Sequence, residues 1–554
     1  MTTASSAQDS ATHTALDIRS LPATSPLARD YAFAFSRLAS FYAADPGEAD
    51  AWRAVIASVT GHPAHAAAPR AAIAGVIRAQ QSARRAPEAA RASLAKLEQA
   101  GSVAVVTGQQ AGIFGGPLYT LLKAVSAITL AARVEAEYGS PAVPIFWVDA
   151  EDHDWAEVRT CALLGADDAV VTLAAADLPG AGSRPVGDLV IEASIAQTLD
   201  ALEQALPPTP FTPDLMAALR RAYAPGTTFG RACAAWIETL LGPYGLVVFE
   251  SSDPAAKPLA AQLFAAEVTT APRTSHLAAE AGRALATLGY HAQVEPAVDS
   301  AALFELGESR TPVKAAGDSC TIGTRTLTRA ALADRILAHP ETVGPNVLLR
   351  PLVQDTLFPT VCYVAGPGEL AYLAQLKQVY AAHGLPMPLV HTRSSGTFLD
   401  SNATRFLARN GVPLEVLAAQ DERALNALLA AQMPAEVEAA GQAALEAIVN
   451  AMEALAAAVP VVDATLQGAV QSASGRMQDD LKKVQGKILQ AAKKKDDTLR
   501  RQFRHAQAQA FPEGAAQERH LGFVGFLNRV GPSLIDRLLT DLPPAPGRHW
   551  LVTL

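Results

Sequence analysis

An α/β protein with a parallel-sheet core, two insertions and a long helical coiled-coil segment is what the sequence predicts. Short apolar, β-branched runs each end in a glycine-rich or acidic stretch and lead into a helical pattern: SVAVVT before GQQAGIFGGPLYTLLK, AVPIFWVDA before EDHDW, TVCYVA before GPGELAYLAQLK. Strand, helix and strand at this spacing form a βαβ unit, which requires parallel pairing. Beyond about residue 402 the chain turns to alanine, leucine, glutamate and glutamine at helical spacing.

The 554 residues suggest two to four modules, and 50% hydrophobic with 18% charged residues supports large cores. A net charge of -9 argues against a general nucleic-acid binder. Cys161, Cys233, Cys320 and Cys362 form no CxxC pair, which disfavours disulfide frameworks and thiolate zinc sites and fits a cytoplasmic setting. The polar start lacks the order of a signal peptide, and no uninterrupted apolar run looks long enough for a bilayer, so no membrane is expected.

In chain order, residues 1–160 are expected to build the first part of the core. Ser25–Tyr42 has helical spacing, Glu88–Ala100 is a helix stopped by Gly101, and Pro117–Tyr138 is the helix between the first two strands. HPAH, His62–His65, has alanine where an adenylating HxGH motif needs glycine, and reads as a loop. Residues 161–244 form a first insertion, 245–255 a core strand, 256–345 a second insertion of helix and short strands, and 346–401 the later core. Residues 402–510 are the helical domain: two long helices around Pro460, the second of roughly 45 residues. Met477, Leu481, Val484, Ile488 and Ala491 make a heptad seam, so a partner subunit is expected. The basic run AAKKKDDTLRRQFRH reads as a solvated face, and residues 511–554 as a segment packing back on the core.

Loops leaving the C-terminal ends of parallel strands face the crevice where open α/β sheets bind ligands. Gly108, Gly112, Gly115 and Gly116, with Thr107, Gln109 and Gln110, could bring backbone N–H groups to an anion; their spacing is neither a dinucleotide fingerprint nor a Walker motif. Lys123, two turns into the next helix, is expected to point elsewhere. Asp149, Glu151, Asp152 and Asp154 crowd His153 on the same edge. That pattern suits acid–base work by His153, or magnesium on the carboxylates, although Asp152 or Asp154 would also suit a helix cap. Arg350 and Arg393 lie near strand ends and could grip a carboxylate or phosphate, with Ser394 beside the latter.

TGQQAGIFGGPLYTLLKA, VPIFWVDAEDHDW, LRPLVQDTLFPT, YVAGPGELAYLAQLK and FPEGAAQER, in this order, resemble the BshC family of bacillithiol biosynthesis, from about Ile18 to the C-terminus. The resemblance implies a Rossmann-like core with two insertions, a coiled-coil domain and a homodimer. It implies a ligase that joins L-cysteine to glucosaminyl-malate, with ATP activating the cysteine carboxylate, ADP as a further bound nucleotide and magnesium as an accessory. In that setting Gly108–Gly116 would bind phosphate or carboxylate, and His153, Asp152 and Asp149 would carry the chemistry. Glu151 and Asp154 would bind substrate amines or magnesium, and Arg393 would clamp malate or phosphate. Neither HxGH nor a KMSKS-like pair is present, so the expected adenylation has no signature of its own. A sugar-nucleotide transferase, a metal-dependent phosphohydrolase and a non-catalytic dimeric scaffold are the competing readings.

Overall fold

The computed structural model describes residues 13–22, 24–307, 309–431, 435–495 and 497–554. The chain divides into two compact units. One runs to Phe398 and resumes at Ala515–Val552; the other is Leu399–Gly514.

The first unit is built on a five-stranded parallel sheet. Its strands are β1 (Val103–Gln110), β2 (Ala142–Asp149), β3 (Val247–Glu250), β4 (Thr360–Ala365) and β5 (Leu389–Thr392), in the order β5-β4-β1-β2-β3. Their uninterrupted apolar runs fit a sheet covered on both faces, and Val103–Gly108 are all buried. The chain steps from β1 outward to β2 and β3, then returns to lay β4 on the other side of β1. The order therefore reverses between β1 and β4, and their C-terminal ends flank the switch point where such sheets bind ligands.

β1 is longer than the sequence suggests. It continues through Gly108, Gln109 and Gln110, paired with Trp147, Val148 and Asp149. Gly108 is therefore a strand residue; a Cβ there would lie 2.8 Å from the Trp147 carbonyl oxygen, so the two strands approach this closely only with glycine. Helix α1 (Leu118–Tyr138) crosses from β1 to β2, and Gly139 at φ 67° ends it.

The stretch Ser25–Tyr42 is not one helix. The helix covers Pro26–Phe33, and Ala34 leaves helical geometry before a short 3₁₀ turn. Its aromatic spacing serves burial instead: the Tyr31 hydroxyl donates to the Val390 carbonyl, and that of Tyr42 to Leu370 at 2.8 Å. His62–His65 folds as a 3₁₀ turn whose buried His65 bonds the Val59 and Asp355 carbonyls.

Residues 161–244 contain a hairpin strand and three helices, Ile195–Ala205, Thr212–Ala222 and Phe229–Leu241. Residues 256–345 contain helix α2 (Lys257–Thr270), two further helices, Arg273–Thr287 and Arg329–Ala338, and a five-stranded antiparallel sheet that includes Arg310–Ala316 and Val343–Pro345. Helices α3 (Arg350–Leu357) and α4 (Pro367–Leu373) flank β4. From the C-terminal segment, Phe523, Leu527, Leu534 and Leu538 join a core cluster with α1 residues, and Arg548–Val552 pairs antiparallel with His13–Asp17.

In the second unit, α5 (Ala435–Ala458) and α6 (Gln467–Lys495) form a hairpin around Pro460, and α7 (Asp497–Ala510) packs on Ser401–Asn410. The expected 45-residue helix spans residue 496, outside the described residues. Gly441 lets α6 approach at Gln485, whereas Met477, Val484 and Ile488 are 49%, 51% and 41% exposed. The heptad seam thus lies on the hairpin's outer face and not between its helices. The basic run is only partly solvated: Leu499 and Phe503 are buried, and His505 Nε2 lies 2.8 Å from Asp400 Oδ2. One helical stretch, Ala435–Val461, is long and apolar enough to cross a membrane by length and composition, contrary to the expectation that no run reaches that length.

Candidate functional site

The C-terminal ends of the strands open into a crevice of about 710 Å³. β1 contributes Gly108–Gln110, β2 Asp149, the turn after β4 Gly366, and the turn after β5 Arg393. The crevice carries charges of both signs.

Lys123, Arg310, Arg350, Arg393 and Arg519 supply its cations. Lys123 does not point away. α1 starts at the crevice edge and helical side chains lean toward their own N-terminus. Its buried Nζ therefore donates to the Gly108 carbonyl at 2.8 Å and to Gln109 Oε1 at 3.0 Å, and pairs with Glu369 at 2.5 Å. Burial pushes the Lys123 ammonium down, with Glu369 opposing. Burial would raise the Glu369 carboxyl, but Lys123 and the Gly366 N–H outweigh it and hold it low. Arg350 donates to the Tyr372 hydroxyl at 3.0 Å, and its Nε lies 3.9 Å from Asp149 Oδ2.

Arg393 lines the crevice, yet its fork is already taken: Nη1 and Nη2 donate to Glu518 at 3.0 and 2.6 Å. The expectation that it clamps malate or phosphate is corrected accordingly. Ser394 is buried away from the crevice lining, bonded to Ser126 and the Leu542 carbonyl.

Asp149, Glu151, Asp152 and Glu369 supply its carboxylates. Burial pushes the Asp149 carboxyl up, partly opposed by Arg350. Burial likewise raises Glu151, opposed by Lys257, whose Nζ lies 2.7 Å from Glu151 Oε1. Burial would raise Asp152 too, but Gln110 Nε2 at 2.7 Å and the His153 N–H outweigh it. His153 is outside the lining; its side chain is 48% exposed, with Nδ1 3.2 Å from Asp152 Oδ1 and 3.4 Å from Arg310. Asp154 caps the turn Trp155–Val158 by accepting the Glu157 N–H, so the capping alternative holds for it.

The glycines beyond the strand do not cradle a ligand. Gly115, at φ +95°, would place a Cβ 2.2 Å from the Phe523 ring, and a Cβ on Gly112 would lie 2.9 Å from Gly116 Cα. Gly112, Gly115 and Gly116 thus make a tight turn against the C-terminal segment, outside the lining. Thr107 is also structural, its hydroxyl donating to the Val364 carbonyl between β1 and β4 at 2.9 Å.

Sequence reasoning missed Lys257 and Arg310, which reach the site from the second insertion, and Tyr119, Tyr363, Glu369, Tyr372 and Arg519. Glu369 alone carried a local signal, as the third residue of a helix that opens at Pro367, where it receives the Gly366 N–H at 2.8 Å. Among the described residues, four lining side chains have a buried polar atom with no hydrogen-bond partner: Trp147 Nε1, Glu151 Oε2, Arg310 Nε and Arg393 Nε. Buried polar atoms are normally paired, so the crevice is built for a polar ligand.

Comparison with known proteins agrees with this fold. Residues 15–394 match the family described as bacillithiol biosynthesis BshC, N-terminal Rossmann-like domain, and residues 396–554 match its C-terminal coiled-coil domain. The chain is 34% identical to the proposed cysteine ligase BshC of Salinibacter ruber, across 94% of this chain and 95% of that protein. Its counterparts in Chlorobaculum tepidum and Koribacter versatilis, of the same name, are 33% and 31% identical, across 80% and 82% of this chain and 81% and 85% of theirs.

Proposed function

The chain belongs to the BshC family and is a ligase of bacillithiol biosynthesis, and on that premise we propose that its crevice joins the carboxyl group of L-cysteine to the glucosamine amine of glucosaminyl-malate. The observation that carries this reading is a crevice lined by charges of both signs, Lys123, Arg310, Arg350 and Arg519 among Asp149, Glu151, Asp152 and Glu369. Both substrates carry an amine and at least one carboxylate, so each meets complementary charges.

Amide formation makes one C–N bond, expels a leaving group from the carbonyl carbon and releases a proton from the amine. Asp149 is the group we assign to that proton. It lines the crevice, and burial holds its carboxyl above the usual aspartate range. This role replaces the one expected of His153, which sits outside the lining. Arg350, beside Asp149, is the cation we assign to a substrate carboxylate.

An unactivated carboxylate lacks a leaving group, and ATP, the activator in this proposal, supplies one when bound. The donor set suits a polyanion: the unpartnered Nε–H of Arg310 and the exposed Arg519. The Gly112–Gly116 turn is excluded from that set by its packing. Among the described residues no three His, Cys, Asp or Glu side chains gather as a metal site, so no step is routed through magnesium.

The proposal includes a homodimer through the outward seam of Met477, Val484 and Ile488, and a cytoplasmic setting for four buried free thiols. The test is a thiol profile. Deleting the gene should remove bacillithiol and accumulate glucosaminyl-malate; the wild-type gene should restore the thiol and Asp149→Asn should not. An unchanged thiol pool, in a cell that makes bacillithiol and has no second copy, overturns the reading and favours a transferase or a scaffold.

A further inference from the structure

Two residues of the second insertion, outside every motif of the sequence, act on the carboxylate of Glu151, one on each oxygen. Lys257, on α2, is 6% exposed, and its Nζ donates to Glu151 Oε1 at 2.7 Å and to the Val343 carbonyl at 3.1 Å. The other oxygen, Oε2, is buried and has no hydrogen-bond partner. It rests against Gly344, where an added Cβ would come within 2.6 Å of it. Glu151 is itself 8% exposed and lines the crevice.

A buried carboxylate with one oxygen held and the other empty is half satisfied, which is costly unless something completes it. Lys257 fixes the plane of the carboxylate through Oε1, and only the missing Cβ at residue 344 lets Oε2 lie where it does. A carboxylate oxygen only accepts, so the group that completes it must donate N–H or O–H. Lys257 pairs with Glu151, Arg310 lies 3.4 Å from Asp152 and Arg350 3.9 Å from Asp149, so the choice of donor rests on bond strength: an ammonium makes the stronger, charge-assisted hydrogen bond to a carboxylate oxygen, and both substrates of the ligase reading carry one. Building on the ligase reading, we propose that Glu151 Oε2 is the seat of a substrate's primary ammonium group, and that Lys257 and Gly344 are positioning residues that hold that oxygen in place.

The two substrates offer two such groups, the α-ammonium of cysteine and the ammonium of glucosamine, and the test separates them. Calorimetry on the full chain would compare L-cysteine with 3-mercaptopropionate, and glucosaminyl-malate with its N-acetyl form. Wild type should prefer the amine-bearing member of one pair by roughly ten- to a hundredfold. That pair identifies the seated amine. Lys257→Met and Gly344→Ala should bring its ratio to within about threefold, mainly by weakening the amine-bearing member, and Lys257→Arg should recover part of it. Glu151→Gln, which keeps the side-chain shape, should collapse the same ratio and decides the matter if Lys257→Met does not fold. An unchanged ratio in Glu151→Gln or in folded Lys257→Met overturns the inference, as does an equal loss for both members of the pair. Wild type that binds none of the four compounds overturns the ligase reading and this seat with it; wild type that binds them without preference overturns the seat alone.

Discussion

Asp149 and His153 stand four positions apart on one acidic stretch, and only Asp149 lines the crevice. Asp149→Asn should lower turnover by roughly 10²- to 10⁴-fold, the usual scale for a general base. His153→Ala should leave turnover near wild type. Steady-state amide formation by the two variants checks both, and a collapse on His153→Ala would return the proton-transfer role to the rim. Gly115 makes a different kind of demand. Alanine there must hold φ +95° and displace the Phe523 ring, and should cost about 2–4 kcal/mol in urea unfolding. The acidic stretch was legible because carboxylates at a strand end are costly without a use. The roles within it were not, because a capping aspartate and a crevice aspartate have the same local sequence.

At the scale of elements, the turn after β5 is tied to the C-terminal helix Gln517–His520 by a buried pair, Arg393 with Glu518. Glu518 also accepts the Gly396 N–H and the Ser395 hydroxyl, both at 3.0 Å. Glu518→Gln leaves a buried guanidinium without its counter-ion and should cost about 3–5 kcal/mol at pH 7. Burial would raise the Glu518 carboxyl, but Arg393, His549 and the Gly396 N–H outweigh it and hold it at about 2, below the ordinary 4.5. A carboxylate depressed in the folded state contributes its full stability above its unfolded pKa and loses it as pH falls through the folded one. Urea midpoints of wild type should therefore drop between about pH 4.5 and 2, and those of Glu518→Gln should drop less over the same window. Arg393 was legible as a strand-end cation, but its partner lies 125 positions away and only folding brings the two together.

On the scale of the whole molecule, the helical hairpin leaves Met477, Val484 and Ile488 half exposed at heptad spacing. Apolar residues at that spacing make a seam for another helix, and within the second unit nothing buries them. Changing all three to serine should turn the homodimer of the proposal into a monomer with little loss of helicity. Sedimentation equilibrium and far-ultraviolet circular dichroism measure the two quantities, and a monomeric wild type would remove the homodimer from the reading.

By itself the sequence determined the parallel-sheet core, the helices that follow its strands, the helical hairpin around Pro460 and the edge of the sheet that carries the site. These follow from local periodicity, burial runs and the rule that parallel strands place their outgoing loops on one side. Only the tertiary structure decided which residues face the crevice. It turned Lys123 inward, closed the Gly112–Gly116 turn on Phe523, committed Arg393 to Glu518 and brought Lys257 and Arg310 in from the second insertion. The physical reason is that a side chain's partner is chosen by distance in space. A charge's work depends on whether its counter-ion lies across the fold or is left for a substrate to supply.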